Sequence, residues 1–375
     1  MKLALFFTYN VSLKTWISNG MFDREVLLYQ HLSQNGVDVT FVTYGDESDY
    51  EYQNLIPNIH ILPLYAHRKA PSSKLGQFIH SFTLPWSLKK HWKAFDLIKT
   101  NQMFGAWLPL LARSKNKQPF LVRCGYELYE SALKDQRSWL NRSTTYLLSK
   151  LTYKSGDRIV VTSHDIAEGI YKRFGIARSK TLVFPNYIDT ELFKPSQSQK
   201  NQRLLCVGRL HPQKNLDLLI KACKHNNIGL DIVGDGPLKD ELKALAKTSK
   251  ADVRFLGSYP NKQLPKLINQ YLGFVLCSTW EGCPKTLLEA MSCGSACVGS
   301  NVPGIGNLLE HNKTGLLCEP NQNDLNRCIA SFLESEDLRL QLGNAARQYI
   351  EENCSLNAIL KKELKLYQEL CPNAG

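Results

Sequence analysis

Apolar runs of strand length and amphipathic stretches of helical period take turns along nearly the whole chain, and this alternation narrows the fold more than any other feature. Residues 3–7 read as a buried strand. A helical pattern follows over Phe22–Gln34 and stops at Asn35-Gly36, where a helix end needs a left-handed residue. Residues 37–43 are strand-like again, and 119–123 and 158–162 continue the series. Strand–helix–strand repeats place successive strands parallel. The expected class is therefore α/β, with doubly wound parallel sheets covered by helices on both faces. The pattern breaks near 183–200, where Pro185-Asn186-Tyr187-Ile188-Asp189 leads into Phe193-Lys194-Pro195 and a polar run. It restarts over 204–207, 230–233, 253–256, 273–277 and 296–299, and 355–370 form one amphipathic helix with no strand behind it. The 375 residues divide into an N-terminal domain over 1–185, a linker over 186–202, a second strand–helix domain over 203–352 and a C-terminal helical segment over 353–375.

Composition excludes several classes. With 43% hydrophobic and 21% charged residues the chain is neither disordered nor fibrous. No run approaches the roughly 18 apolar residues of a membrane span. The apolar start is short and lacks a small-residue cleavage site, which favours a strand over a signal peptide and a cytoplasmic location. Eleven cysteines are scattered through apolar runs without a Cys-x-x-Cys pair, as reduced buried thiols are, and no metal site is expected. The net charge of +12 is uneven: residues 51–150 hold 15 Lys and Arg against 5 Asp and Glu, whereas 201–375 hold 20 against 18. Within the basic half, Trp86, Lys89, Lys90, Trp92 and Lys93 mix rings with cations, as do Arg137, Trp139 and Arg142. That mixture suits an anionic membrane surface, and it equally suits a solvated basic face over an aromatic core. No zinc-finger spacing, RNP-like motif or basic coiled coil accompanies the charge, so nucleic acid is not an expected partner.

The most informative segment runs from Ser278 to Gly294. A strand ends in a loop holding Glu281, Gly282 and Cys283, and a helix opens near Pro284, where a missing N–H is harmless. The first turn, with Thr286 and Leu287, offers free backbone N–H groups and the positive end of the helix dipole, an anion site suited to phosphate. Glu281 and Glu289 flank it. Carboxylates there suit the hydroxyls of a sugar or ribose; taken alone, the pair equally suits a helix cap and a surface residue. After the strand at 204–207, Gly208, Arg209 and Lys214 put two cations beside a glycine at a strand's carboxyl end, where open parallel sheets collect ligands. Arg209 can fork onto phosphate oxygens and Lys214 can supply a point charge. Two cations and a helix N-terminus can balance a diphosphate without an ion, and no Asp-x-Asp pair occurs. Gly234-Asp235-Gly236-Pro237 follows the next strand. Lys239 stands where a dinucleotide fingerprint needs its last glycine, and no G-x4-G-K-[ST] loop occurs, so dehydrogenase and P-loop readings lose their support.

In this order and spacing, Gly208-Arg209-Leu210 with Lys214, Gly234-Asp235-Gly236-Pro237, and Glu281-x7-Glu289 with Ala290-Met291 and Gly294 resemble the retaining GT-B glycosyltransferases of family 4, the glycosyl transferases group 1. Residues 185–189 resemble that family's Pro-Asn-Gly-Val-Asp segment, with Tyr187 for the usual glycine. The resemblance is strong over 185–350 and weaker, but in register, over 1–185. It implies two Rossmann-like domains facing a cleft and a UDP- or GDP-sugar donor, with retention of anomeric configuration and without metal or cofactor. It implies that Arg209 and Lys214 bind the donor diphosphate, Glu281 the donor sugar's hydroxyls and Glu289 the ribose. The N–H groups of Thr286 and Leu287 would hold the distal phosphate, with Gly208, Gly234, Gly282, Cys283 and Pro284 lining the site and Ser258 and Tyr259 beside the nucleobase. Gly20, in Ser18-Asn19-Gly20, corresponds to a glycine loop on the N-terminal side, Asn19 replacing the commoner first glycine. Many members place a histidine after a mid-sheet N-terminal strand, and this chain has none there. Arg123, Glu127 and His164 are the acceptor-side candidates; a structural Arg123–Glu127 ion pair and a Ser163 helix cap beside a bystander His164 are the other readings. The implied function is sugar transfer to a saccharide or lipid-linked acceptor, in polysaccharide, lipopolysaccharide or glycolipid assembly at the inner face of the cell membrane. A sugar-nucleotide epimerase of the same fold and a non-catalytic sugar-nucleotide binder are the alternatives.

Overall fold

The structure, a computed structural model, describes residues 1–66, 69–87, 89–113 and 118–373, without the side chains of 87, 89 and 90. It divides into two compact units, Met1–Phe184 with Leu360–Gly375, and Pro185–Ile359. In the first, seven strands pair in parallel: β1 (Lys2–Phe6), β2 (Asp38–Thr43), β3 (Ile59–Pro63), β4 (Leu97–Thr100), β5 (Phe120–Cys124), β6 (Arg158–Val161) and β7 (Thr181–Val183). Their order is β3-β2-β1-β4-β5-β6-β7. The helices between them are α1 (Leu13–Ser18), α2 (Phe22–Gln34), α3 (Lys74–Ser81), α4 (Leu84–Ser87), α5 (Lys89–Trp92), α6 (Trp107–Arg113), α7 (Leu128–Lys134), α8 (Trp139–Ser155) and α9 (His164–Phe174). In the second unit, β8 (Asn201–Val207), β9 (Gly229–Val233), β10 (Val253–Gly257), β11 (Tyr271–Leu276), β12 (Cys297–Ser300) and β13 (Leu316–Cys318) run in parallel in the order β10-β9-β8-β11-β12-β13. Its helices are α10 (Leu216–His225), α11 (Lys239–Thr248), α12 (Leu264–Ile268), α13 (Lys285–Ser292), α14 (Gln322–Glu334) and α15 (Glu336–Asn353), and α16 (Leu356–Leu370) follows.

Alternation along the strands decides which face each residue buries. Ala4, Phe6, Ile98, Phe120 and Val122 join Leu84, Trp92, Trp107 and Tyr153 in one core. On the other side Phe7 stacks on Trp16 at 4.0 Å and Phe41 meets Tyr29 edge-on at 5.4 Å. Trp92 therefore departs from the membrane-facing reading. Its ring is 1% exposed and lies 5.4 Å from that of Phe6, and its Nε1 donates to the Pro85 carbonyl at 2.7 Å. A Trp flanked by lysines gives the same sequence signal whichever way it points. Trp86 and Lys93 are exposed, and the side chains of Lys89 and Lys90 fall outside the described residues.

The segment expected as a linker is packed within the second unit. Ile188 and Phe193 are buried, and Arg347 on α15 donates to the carbonyls of Phe193 at 2.7 Å and Ser292 at 2.8 Å. At the amino edge of the second sheet Arg203 pairs with Asp231 at 2.7 Å and with Asp252, and the Tyr271 hydroxyl donates to Asp231 at 2.6 Å. Among the described residues, no helix is long and apolar enough to cross a membrane.

In the first unit α16 is fastened by a charge. Lys99, in the middle of β4, is fully buried and donates to Glu363 at 2.7 Å and to the Tyr367 hydroxyl at 3.0 Å. Its ammonium lies 5.5 Å from the ring centre of Tyr29. Burial lowers the Lys99 pKa and the Glu363 carboxylate opposes that shift. Removing one partner strands the other charge in the core. We expect Lys99→Met to destabilise the first unit by about 3–5 kcal/mol, and Lys99→Met with Glu363→Leu to recover most of the loss. Urea unfolding followed by tryptophan fluorescence measures this, because five of the six tryptophans belong to that unit.

Candidate functional site

The strand order of the second sheet reverses between β8 and β11, so their crossovers leave toward opposite faces. In an open parallel sheet this opens a crevice at the carboxyl ends of the two strands. β8 delivers Gly208, Arg209 and, six residues past Gly208, Lys214; β11 delivers Ser278, Glu281 and then α13.

Glycines let the loops close on one another. Gly234 has φ +139°, and a Cβ there would lie 1.9 Å from the Gly208 carbonyl oxygen. A Cβ on Gly236 would lie 2.4 Å from that of Leu210. Backbone hydrogen bonds complete the seam: Leu210 N–H to Asp235 O at 3.0 Å, and Gly234 N–H to Gly257 O at 2.8 Å. The residues on either side of Arg209 are thus pinned, while its own side chain is exposed and makes no ion pair or hydrogen bond among the described residues. Ser258 and Tyr259 follow on the exposed loop after β10. Asp235 beside them is held below the usual carboxylate range by its hydrogen bond from Lys239, with the Gly236 N–H adding to the effect.

Lys214 folds back over Gly208 and donates to Glu281 Oε1, as does the Ser278 hydroxyl at 2.6 Å. The lysine and glutamate side chains are 15% and 9% exposed, so the pair is largely shielded from water. The sequence reading assigned these two groups to separate parts of a ligand; they are bonded to each other. Glu281 consequently does not cap α13. Gln213 ties the same two loops, with Nε2 donating to Trp280 O at 2.8 Å and its carbonyl accepting from Thr279 N–H at 2.8 Å. From below, Glu281 N–H donates to Pro303 O at 3.1 Å, and a Cβ on Gly304 would come within 2.5 Å of Glu281 O. Gly282 leads to Cys283, which is buried and accepts from Asn186 Nδ2 at its carbonyl at 2.8 Å. Cys206, at the end of β8, is no nucleophile: burial pushes its thiol up to about 12.

α13 opens after Pro284 with no side-chain cap and no acidic residue in its first turn. The positive end of its dipole is therefore uncompensated. Of the two amides expected to meet phosphate, Leu287 N–H already bonds to Pro284 O at 3.2 Å, whereas Thr286 N–H has no acceptor among the described residues. Glu289 is 1% exposed, which removes its reading as a surface residue, and its Oε1 accepts from Asn261 Nδ2 at 2.8 Å. The sequence reading gave Asn261, Ser278 and Gln213 no role. Amides and hydroxyls occur everywhere, and the one available cue was proximity to Tyr259, Glu281 and Lys214.

The remaining candidates lie in the first unit, on their own terms. Gly20 sits in the turn after α1 with φ +63° and is exposed. Arg123 in β5 is 8% exposed, and its N–H donates to Thr100 Oγ1 at 3.0 Å. Glu127 caps α7, accepting from the N–H groups of Tyr129 at 3.1 Å and Glu130 at 2.7 Å, and from Ser149 Oγ at 3.0 Å. Burial raises its pKa. Arg173 approaches it at 3.7 Å. His164 is the exposed first residue of α9, and Ser163 caps that helix through Ile166 N–H at 3.3 Å.

With this geometry in hand, residues 188–349 match the family described as Glycosyl transferases group 1, and residues 26–192 match Glycosyltransferase Family 4. The chain is similar to an uncharacterized glycosyltransferase of Methanocaldococcus jannaschii, 24% identical over 340 residues that cover 89% of this chain and 90% of that protein. It is also similar to the UDP-Gal:alpha-D-GlcNAc-diphosphoundecaprenol alpha-1,3-galactosyltransferase of Escherichia coli, 32% identical over 193 residues, or 46% of this chain and 49% of that protein. Sucrose-phosphate synthase from Thermosynechococcus elongatus superposes with a TM-score of 0.77 at 20% identity over 99% of both chains, a likeness of fold, which is GT-B.

The contact at Gly234 supplies a test of the seam. Gly234→Ala combines an unfavourable φ with a clash against fixed backbone and should lower stability by about 2–4 kcal/mol. Gly257→Ala, at φ +72° with nothing within 4 Å of the added carbon, should cost only about 1–2 kcal/mol. Chemical denaturation of the two variants side by side measures the difference.

Proposed function

Because this chain belongs to the glycosyl transferases group 1 family and is a glycosyltransferase, we propose that it moves a sugar from a UDP- or GDP-sugar, with retention, to a hydroxyl of a saccharide or lipid-linked acceptor in cell-surface glycan assembly. The observation that carries this reading is the shielded Lys214–Glu281 pair at the β8–β11 crevice, beside the uncommitted Arg209 and the uncapped start of α13.

In the proposed reaction the bond from the sugar's anomeric carbon to the phosphate oxygen breaks, and negative charge collects on the leaving diphosphate. Arg209, Lys214 and the Thr286 N–H are the groups that take up this charge, each preorganised donor contributing about 3–4 kcal/mol to the rate. The acceptor oxygen bonds to the same face of the anomeric carbon, and its proton passes to the departing phosphate oxygen. No protein nucleophile is required. Arrival of the diphosphate gives Lys214 a second anionic partner, which releases part of Glu281 to accept from a sugar hydroxyl while Ser278 keeps it in place. Glu289, steadied by Asn261, serves the ribose, and the exposed Ser258–Tyr259 loop serves the base. In this scheme the second unit holds the donor and the more basic first unit the acceptor, at the inner face of the cell membrane. A lipid-linked acceptor is supported by the galactosyltransferase relative, whose name specifies a diphosphoundecaprenol substrate.

A panel of UDP- and GDP-sugars tested by thermal shift identifies the donor, since a ligand at about 100 times its Kd adds roughly 2.7 kcal/mol. With donor and acceptor in hand, Arg209→Ala and Glu281→Gln should each lower kcat/KM by about 10²–10³-fold. Wild-type transfer rates in Glu281→Gln would remove that residue from the mechanism. Donor conversion that proceeds equally fast without acceptor would replace transfer by epimerisation.

A further inference from the structure

α3 wears its amphipathic pattern inside out. Leu75, Phe78 and Ile79 recur at the spacing that a surface helix normally turns to the core, yet they are 69, 38 and 60% exposed, and Phe82 at the end of the helix and Trp86 in α4 are 36 and 60% exposed. Only Ser81 of α3 is buried, and its hydroxyl accepts from Trp107 Nε1 at 2.9 Å. The rings of Phe78 and Phe82 rest on Trp107 at 5.5 Å each, so the outward row stands on a firm base. Electrostatics point the same way. Between Glu51 and Asp96 the chain has no acidic residue but six lysines and arginines, of which Lys69, Lys74 and Lys93 are exposed. α4 packs on α6, and α6 on α8. α8 also lacks acidic residues and exposes Trp139, Leu140, Leu147 and Leu151 at 76, 59, 57 and 51%.

From this we infer that the α3–α4 face is an insertion surface for an anionic lipid bilayer. The aliphatic and aromatic side chains enter the boundary between headgroups and acyl chains, and the surrounding cations engage lipid phosphates. A second copy of the chain is the poorer occupant, because two such faces would set cations against cations with no carboxylate from residues 52–95 to relieve them. The surface deepens the reading of a lipid-linked acceptor by holding the enzyme where such acceptors reside. It rests on that reading for its purpose alone, since its residues are separate from the sugar-transfer site.

Flotation of the full chain with phosphatidylcholine vesicles, with and without phosphatidylglycerol, tests the inference. Wild type should float with the anionic vesicles and much less with the neutral ones. Leu75→Ser with Ile79→Ser should reduce the partition coefficient by about tenfold or more. Leu340→Ser, at a leucine of the second unit that is 56% exposed, should leave it unchanged. Unaltered thermal melting of the double variant establishes that it is folded. Equal flotation of double variant and wild type would overturn the proposal, and so would equal binding to neutral vesicles. A wild-type dimer that the double variant dissociates, without vesicle binding, would replace the bilayer by a second copy. Transfer to a short-chain, water-soluble acceptor is measured in parallel. Its absence with flotation intact counts against the transferase reading and leaves the surface standing, whereas its presence without flotation does the reverse.

Discussion

A carboxylate drawn out of water needs a cation, and at the mouth of the second sheet Glu281 takes Lys214. Everything around the crevice serves that contact. The two residues come from loops after β8 and β11, neighbours at the point where the crossovers part, so no helix covers them. Lys214 reaches across because its stem lies on Gly208, and Gly208 can approach β9 because residue 234 has no side chain. A pair so shielded is coupled more strongly than an exposed ion pair, whose worth is about 0–1 kcal/mol. Among the described residues it is also incomplete as a charge balance, because the Arg209 side chain makes no ion pair and α13 starts with neither a side-chain cap nor an acidic residue in its first turn. An arrangement of this kind has a stable resting form and still attracts an anion.

Opposite edges of that sheet are put to different uses. At the amino edge Arg203, Asp231, Asp252 and Tyr271 satisfy one another and knit β8, β9 and β11 together. At the carboxyl edge the polar groups are only partly matched. On the proposed reading, stability and chemistry are thus separated by the length of a strand, which lets the loops be demanding without loosening the core.

Much of this was legible from residue order. The helix over Phe22–Gln34 ends where Asn35-Gly36 says it must, with Gly36 at φ +85°. The strands at 204–207 and 273–277 were visible because both faces are buried, so their apolar runs are unbroken. β4 was not, since Lys99 interrupts a four-residue strand and only tertiary structure reveals that its charge is neutralised by Glu363. At the site, the glycines and charged residues announced themselves through spacing. The Lys214–Glu281 bond did not, because a sequence lists charges without saying which will meet, and 67 positions separate these two. Glu127 hid a role for a related reason: a carboxylate after a strand looks chemical, and that it caps α7 shows only in the direction its oxygens point.

The Lys99–Glu363 bond also orders events in time. These partners lie 264 residues apart, and the whole second unit is encoded between them. During synthesis, β4 emerges long before its counterion exists. The first unit to leave the ribosome must therefore wait, with an ammonium group it cannot yet bury, until α16 has been made, and so the half of the molecule that starts folding earliest is the last to be sealed.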